Sequence, residues 1–191
     1  RGTGEQRSLE TTKLIFDSLY EKSREDASRL FCKACGSAHN FIVAKFLEFD
    51  YDLDYNYKGK YDYTPIVGLF SYMEESNGHL IQQLLKKNVD LEIRSQLGRN
   101  ALLTLVRRFR SAKRYGHDVV SVQLLLDHGA QVDSTDDDGN TALHYAYKFH
   151  EWELVELLVK YGADLSARNK DDKVPLHMVN RMIELLFKNA H

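Results

Sequence analysis

A pattern of residues returns along this chain at a fixed step, and no other feature of the sequence restricts the fold as strongly. Leu143 and His144 recur 33 residues later as Leu176 and His177, while Leu158, Gly162 and Ala163 fall, one step earlier, on Leu125, Gly129 and Ala130. A unit of that length cannot bury its apolar face alone, so neighbours must stack and share one elongated core. Upstream the register drifts: Leu47, Leu85, Leu126 and Val159 hold like positions at steps of 38, 41 and 33. The drift is confined, because Leu85 to Asn100, Leu126 to Thr141 and Val159 to Val174 are each 15 residues apart. The extra length therefore lies inside the units, about three residues around 72–78 and about eight around 107–115.

Each unit reads as a pair of helices. Thr64-Pro65 and Thr141-Ala142 look like helix starts, with a hydroxyl able to cap free N–H groups and, at Pro65, a ring whose missing N–H is harmless in the first turn. A second, more apolar helix (Trp152, Leu154, Val155, Leu157, Leu158, Val159) ends at Gly162, where a left-handed residue costs least, and Gly129 does the same one unit earlier. Asn88 and Asp50 are expected in that role in the first units. The connectors, rich in Asp, Ser, Asn and Gly, read as turns or hairpins.

At this point Asp138-Gly139-Asn140-Thr141-Ala142-Leu143-His144-Tyr145-Ala146 resembles the turn and first helix of the ankyrin repeat, and Leu157 to Leu165 resembles its second-helix ending. The resemblance implies an all-α solenoid of stacked helix-turn-helix units joined by hairpin-like turns. It predicts a single domain over 9–191, with an amphipathic leading helix at 9–24, repeats at about 25–56, 57–94, 95–135 and 136–168, a truncated cap at 169–191, and a flexible end at 1–8. It also implies that His144 and His177 hydrogen-bond to turn backbone, and that Ala34 and Cys35 are small residues packed against the next unit. Three departures stand out: Val174 replaces a capping Thr, His150 replaces the usual Gly, and the final second helix, 180–187, comes about five residues early.

Composition excludes several classes. With 43% apolar residues, two prolines, and 26 basic against 28 acidic side chains, the chain is neither a disordered tail nor a globally basic nucleic-acid binder. No run approaches eighteen uncharged apolar residues, and 1–20 lacks the apolar centre of a signal peptide, so no membrane insertion is expected. Two cysteines three residues apart cannot staple such a domain, which points to a reducing compartment, cytoplasmic or nuclear. Arg1 opens the chain and no Met precedes Met73, so it is expected to be a piece of something longer.

Nothing in the sequence argues for an enzyme, a cofactor or a metal. Cys32-Lys33-Ala34-Cys35 supplies one thiol pair and His39 at most a third ligand, short of a structural zinc; core packing is the expected role. The run Asp136, Asp137, Asp138, Asn140 lacks the spacing and closing Glu of a calcium loop. Phosphate-cradling and nucleophile-elbow motifs are absent.

Two features rise above the scaffold. Residues 51–63 hold five tyrosines, four of them in or beside a connector, where small polar residues are the rule. Tyr offers broad contact area with few rotamers to freeze, as at interaction hot spots; the alternative is that some rings pack on the leading helix or a neighbouring loop. The insert 107–114 carries Arg107, Arg108, Arg110, Lys113 and Arg114, interleaved with Phe109 and followed by Tyr115. It could grip an acidic peptide, or simply be a solvated helix extension.

An open stack exposes turn tips and first-helix faces, and ankyrin arrays mostly hold a segment or domain of another protein. The expected function is therefore a non-catalytic interaction module (scaffold, adaptor or inhibitor) binding a protein or peptide on a concave face and its turn tips. Contacts are expected from Tyr57, Tyr61, Tyr63, Gln96, Arg99, Asp137, Asn140, Lys170 and Lys173 in the turns, and from Tyr72, Arg107, Arg108, Arg110, Lys148 and Phe149 on first helices and the insert. The alternative is a regulatory or substrate-targeting domain of a larger enzyme or channel. Nucleotide or RNA binding through 107–114 ranks last.

Overall fold

A computed structural model describes residues 4–37, 39–71, 78–109 and 118–175. Among them the regular structure is helical: α1 Gly4–Lys22, α2 Arg24–Cys35, α3 Asn40–Glu48, α4 Pro65–Ser71, α5 Gly78–Leu85, α6 Ala101–Arg108, α7 Asp118–Asp127, α8 Ala142–Phe149 and α9 Trp152–Lys160. The fold is all-α, as expected. The chain divides into two compact units, residues 1–90 and 91–191, where one domain over 9–191 was expected.

In the first unit α1 packs on α2, α2 on α3 and α4, and α3 on α5. The leading helix begins at Gly4, ahead of the expected start at residue 9; Glu5, Gln6, Arg7 and Leu9 are all good helix formers. Its Phe16 ring stacks on Phe46 at 4.3 Å, while Phe31 meets Phe46 edge-on at 5.7 Å. Ser23 caps α2 by accepting the Asp26 N–H at 3.1 Å. Pro65 opens α4 as expected, but the Thr64 hydroxyl is buried with no hydrogen-bond partner and caps nothing. Gly68 lets α4 lie hard against the end of α2: a Cβ there would stand 2.9 Å from the Gly36 nitrogen.

In the second unit first helices meet first helices (α6 on α8), second meet second (α7 on α9), and each pairs with its own partner. Asn100 caps α6 through the Leu103 N–H at 3.0 Å, and Thr141 caps α8 through the His144 N–H at 3.4 Å. Beyond α7 and α9, Gly129 and Gly162 are left-handed (φ 87° and 86°), with Ala130 N–H to Leu125 O and Ala163 N–H to Leu158 O both at 3.0 Å. His150, read as a departure from Gly, also adopts φ 60°, between α8 and α9. Asp50 is left-handed as expected (φ 55°), but Asn88 is not: there the chain turns through Lys87 N–H to Leu84 O at 2.9 Å. The expected insert at 72–78 overlaps the described residues only at Gly78, and of the final unit only 169–175 is described.

Candidate binding surfaces

The connectors share one backbone device. In 59–63, 95–99, 136–140 and 169–173 the first residue's N–H donates to the fifth residue's carbonyl at 2.9–3.1 Å, and its own carbonyl accepts from the fourth at 2.9–3.2 Å. The fourth residue must then be left-handed: Asp62, Gly98, Gly139 and Asp172 have φ of 57°, 66°, 77° and 58°. Gly139 is needed for a second reason, because a Cβ there would sit 3.1 Å from the Lys170 nitrogen of the next turn.

The turn of the first unit departs from the others, since Tyr61 is left-handed as well (φ 62°), a conformation costing a non-glycine residue about 1–2 kcal/mol. Tyr61 is 54% exposed, with the Lys60 Nζ 4.7 Å from its ring centroid and the Tyr63 ring edge-to-face at 6.3 Å. The five tyrosines divide by what their hydroxyls touch. Tyr51 donates to Asp17 of α1 and Tyr55 to the Tyr51 carbonyl at 2.7 Å; both pack inward, Tyr55 edge-on to Phe31. Burial pushes both phenols up, Tyr55 to about 12. Tyr57, Tyr61 and Tyr63 have no hydroxyl hydrogen bond among the described residues, and all three line one cavity of about 600 Å³ with Arg29 and Lys33 of α2. Sequence alone left both roles open for the cluster; the structure packs Tyr51 and Tyr55 against neighbouring elements and leaves the other three lining the cavity.

Cys32 lies at the back of this cavity, 5% exposed, its thiol donating to the Tyr63 carbonyl at 3.3 Å. Burial pushes that thiol up to about 11 and holds the fully buried Cys35 thiol well above its ordinary value too. Both are packed, protonated groups. The described residues contain no cluster of three His, Cys, Asp or Glu side chains able to hold a metal.

In the second unit the turn tips are stitched together. Asp137 rests against Gly98, where a Cβ would collide with its carboxylate. Lys170 N–H donates to the Asp138 carbonyl at 2.9 Å, and Asn169 Nδ2 to Asn140 Oδ1 at 2.8 Å. His144 accepts the Thr141 N–H on Nδ1 at 3.2 Å and donates from Nε2 to the Lys173 carbonyl at 3.0 Å, which is the expected link to turn backbone. Glu92, which sequence reasoning missed, accepts from Asn100 Nδ2 at 2.8 Å, Gln131 N–H at 2.9 Å and Ser134 Oγ at 2.7 Å. Only its carboxylate type gave a signal; partners some forty residues away are not readable from spacing.

Expected contact residues are thus of two kinds here. Asn140 is committed to the stitching, and Arg107 donates to the Tyr145 hydroxyl at 2.9 Å, itself bonded to Asp136. Arg99 is half-buried, with its Nε buried and unpartnered, and Arg108 is half-buried at the end of α6. Phe149 stacks on Tyr145 at 5.8 Å. Gln96, Asp137, Lys148, Lys170 and Lys173 are exposed. Asn140, Lys148, Lys170 and Lys173 line a second cavity of about 600 Å³. Tyr72, Arg110 and the rest of the basic insert to 114 lie outside the described residues.

No helix among the described residues is long and apolar enough to cross a membrane. A family model described as ankyrin repeats (3 copies) matches residues 69–169. Over 72 residues the chain is 43% identical to the putative ankyrin repeat protein L92 of Acanthamoeba polyphaga mimivirus, a match covering 37% of this chain and 15% of that protein.

Proposed function

The chain belongs to the ankyrin repeat family, and from that premise we propose that it is a non-catalytic interaction module holding a segment of another protein against its connector turns. Ankyrin repeats are generally protein–protein interaction modules. The observation that carries the reading is the convergence of Tyr57, Tyr61 and Tyr63, with hydroxyls unused inside the protein, on one cavity of the first unit. Amphipathic rings whose hydroxyls are left without internal partners are what a hot spot requires. The exposed Lys148, Lys170 and Lys173 around the second cavity support a further contact area in the second unit. The two buried thiols support work in a reducing compartment, cytoplasmic or nuclear.

A second reading is a regulatory or targeting domain within a larger enzyme or channel. It is favoured by the relative's length, of which the matched segment is 15%. Both readings use the same surfaces. The test is capture of partners from lysate by the intact chain and by a Tyr57→Ala/Tyr61→Ala/Tyr63→Ala variant. The variant is expected to lose its specific partners while melting as a folded protein; equal capture by both would remove the cluster from the interface.

A further inference from the structure

The cavity beside the first connector has a charge opposite to that of the chain. The whole sequence carries a formal charge of −2, yet the lining of this cavity contains Arg29, Lys33, Lys58 and Lys60 and no Asp or Glu. All four basic residues are exposed. Arg29 is partly answered by Asp26 on its own helix, and Lys60 by the Tyr61 ring. Lys33 and Lys58 have no ion-pair partner among the described residues, and they come from different elements, α2 and the connector, facing one volume. Cations of like sign around one cavity repel, and an anion placed among them removes that repulsion.

We propose that this cavity binds a carboxylate-rich peptide segment of the partner protein. The inference rests on the interaction-module reading and names its chemistry. Lys33 of α2 and Lys58 of the connector hold carboxylates, while Tyr57, Tyr61 and Tyr63 donate hydroxyls and cover the methylene stems of the acidic side chains with their rings. A single-stranded nucleic acid would need successive ring faces for its bases. Here the Tyr61 and Tyr63 rings stand edge to face, 62° apart, and offer no parallel platform. A small inorganic anion would fill little of a cavity of about 600 Å³, whose basic residues come from both α2 and the connector.

The probe is fluorescein-labelled octaglutamate, followed by anisotropy with the whole chain. Saturable binding is expected, weakened about tenfold or more by Lys33→Glu/Lys58→Glu and by raising the salt several-fold, because exposed charge pairs are screened. Lys86→Glu/Lys160→Glu, at two exposed lysines outside the cavity lining, makes the same change in net charge and is expected to leave binding nearly unchanged. The inference is overturned by absent binding, by equal binding to the Lys33→Glu/Lys58→Glu variant, by tighter binding of an oligothymidylate, or by complete displacement with millimolar inorganic phosphate. If octaglutamate fails to bind while the tyrosine variant still loses its partners, the acidic chemistry is wrong and the interaction-module reading stands.

Discussion

His144 Nε2 stands 3.0 Å from the Lys173 carbonyl oxygen, so one imidazole closes the cap of its own helix and ties down the next turn. The ring is 8% exposed, and water cannot easily replace either bond. His144→Ala leaves the Thr141 N–H and the Lys173 carbonyl without these partners, and a loss of about 1–3 kcal/mol is expected. Urea denaturation checks this. A change below about 0.5 kcal/mol, the level of an ordinary surface substitution, would show that the ring is no strut.

Tyr61 carries a conformation that its own side chain disfavours. Tyr61→Asn places a residue that tolerates φ 62° at an exposed site, so stability should rise by about 0.5–1 kcal/mol in a thermal melt. Partner capture by the same variant should fall. A residue whose replacement strengthens the fold and weakens binding is one kept for its contacts, in the way strain is held at functional sites.

The thiols give the protein an alkaline weakness. Well below the ordinary thiol value of 9.0 the Cys32 proton is held in both states. From about 9.0 to about 11 the unfolded chain releases it and the folded chain does not, so stability should fall as pH rises through that window. Urea midpoints measured across the window check the slope, which Cys32→Ala should flatten in part; Tyr55, raised from 10.0 to about 12, continues the fall above it. At neutral pH, iodoacetamide should label the folded chain roughly tenfold more slowly than the urea-unfolded chain, or slower still.

How much of this could be read from sequence follows from the range of each interaction. Gly129, Gly162 and Asp50 were legible as left-handed stops because a helix end is fixed within five residues. Thr141 was legible as a cap for the same reason. Thr64, in an equivalent setting, was not, since whether a hydroxyl caps depends on how the preceding connector delivers it. The left-handed Asp62 and Asp172 went unread because the turn register, not the residue type, demands them. The tyrosine cluster was visible as an anomaly, but dividing Tyr51 and Tyr55 from the other three depends on Asp17 and Phe31 in elements further up the chain. Glu92, bonded across some forty residues, left no local trace.

The fastening of Asn169 to Asn140, and of Lys170 to Asp138, bears on how such a chain can lengthen or shorten over generations. The later tip supplies donors that its predecessor's tip accepts, so a crossover inside this connector would mate halves never fitted to one another. Breaks within helices, where one apolar side chain substitutes tolerably for another, would carry intact tips into the recombinant. Duplicated segments in descendants of this chain should therefore start and stop mid-helix.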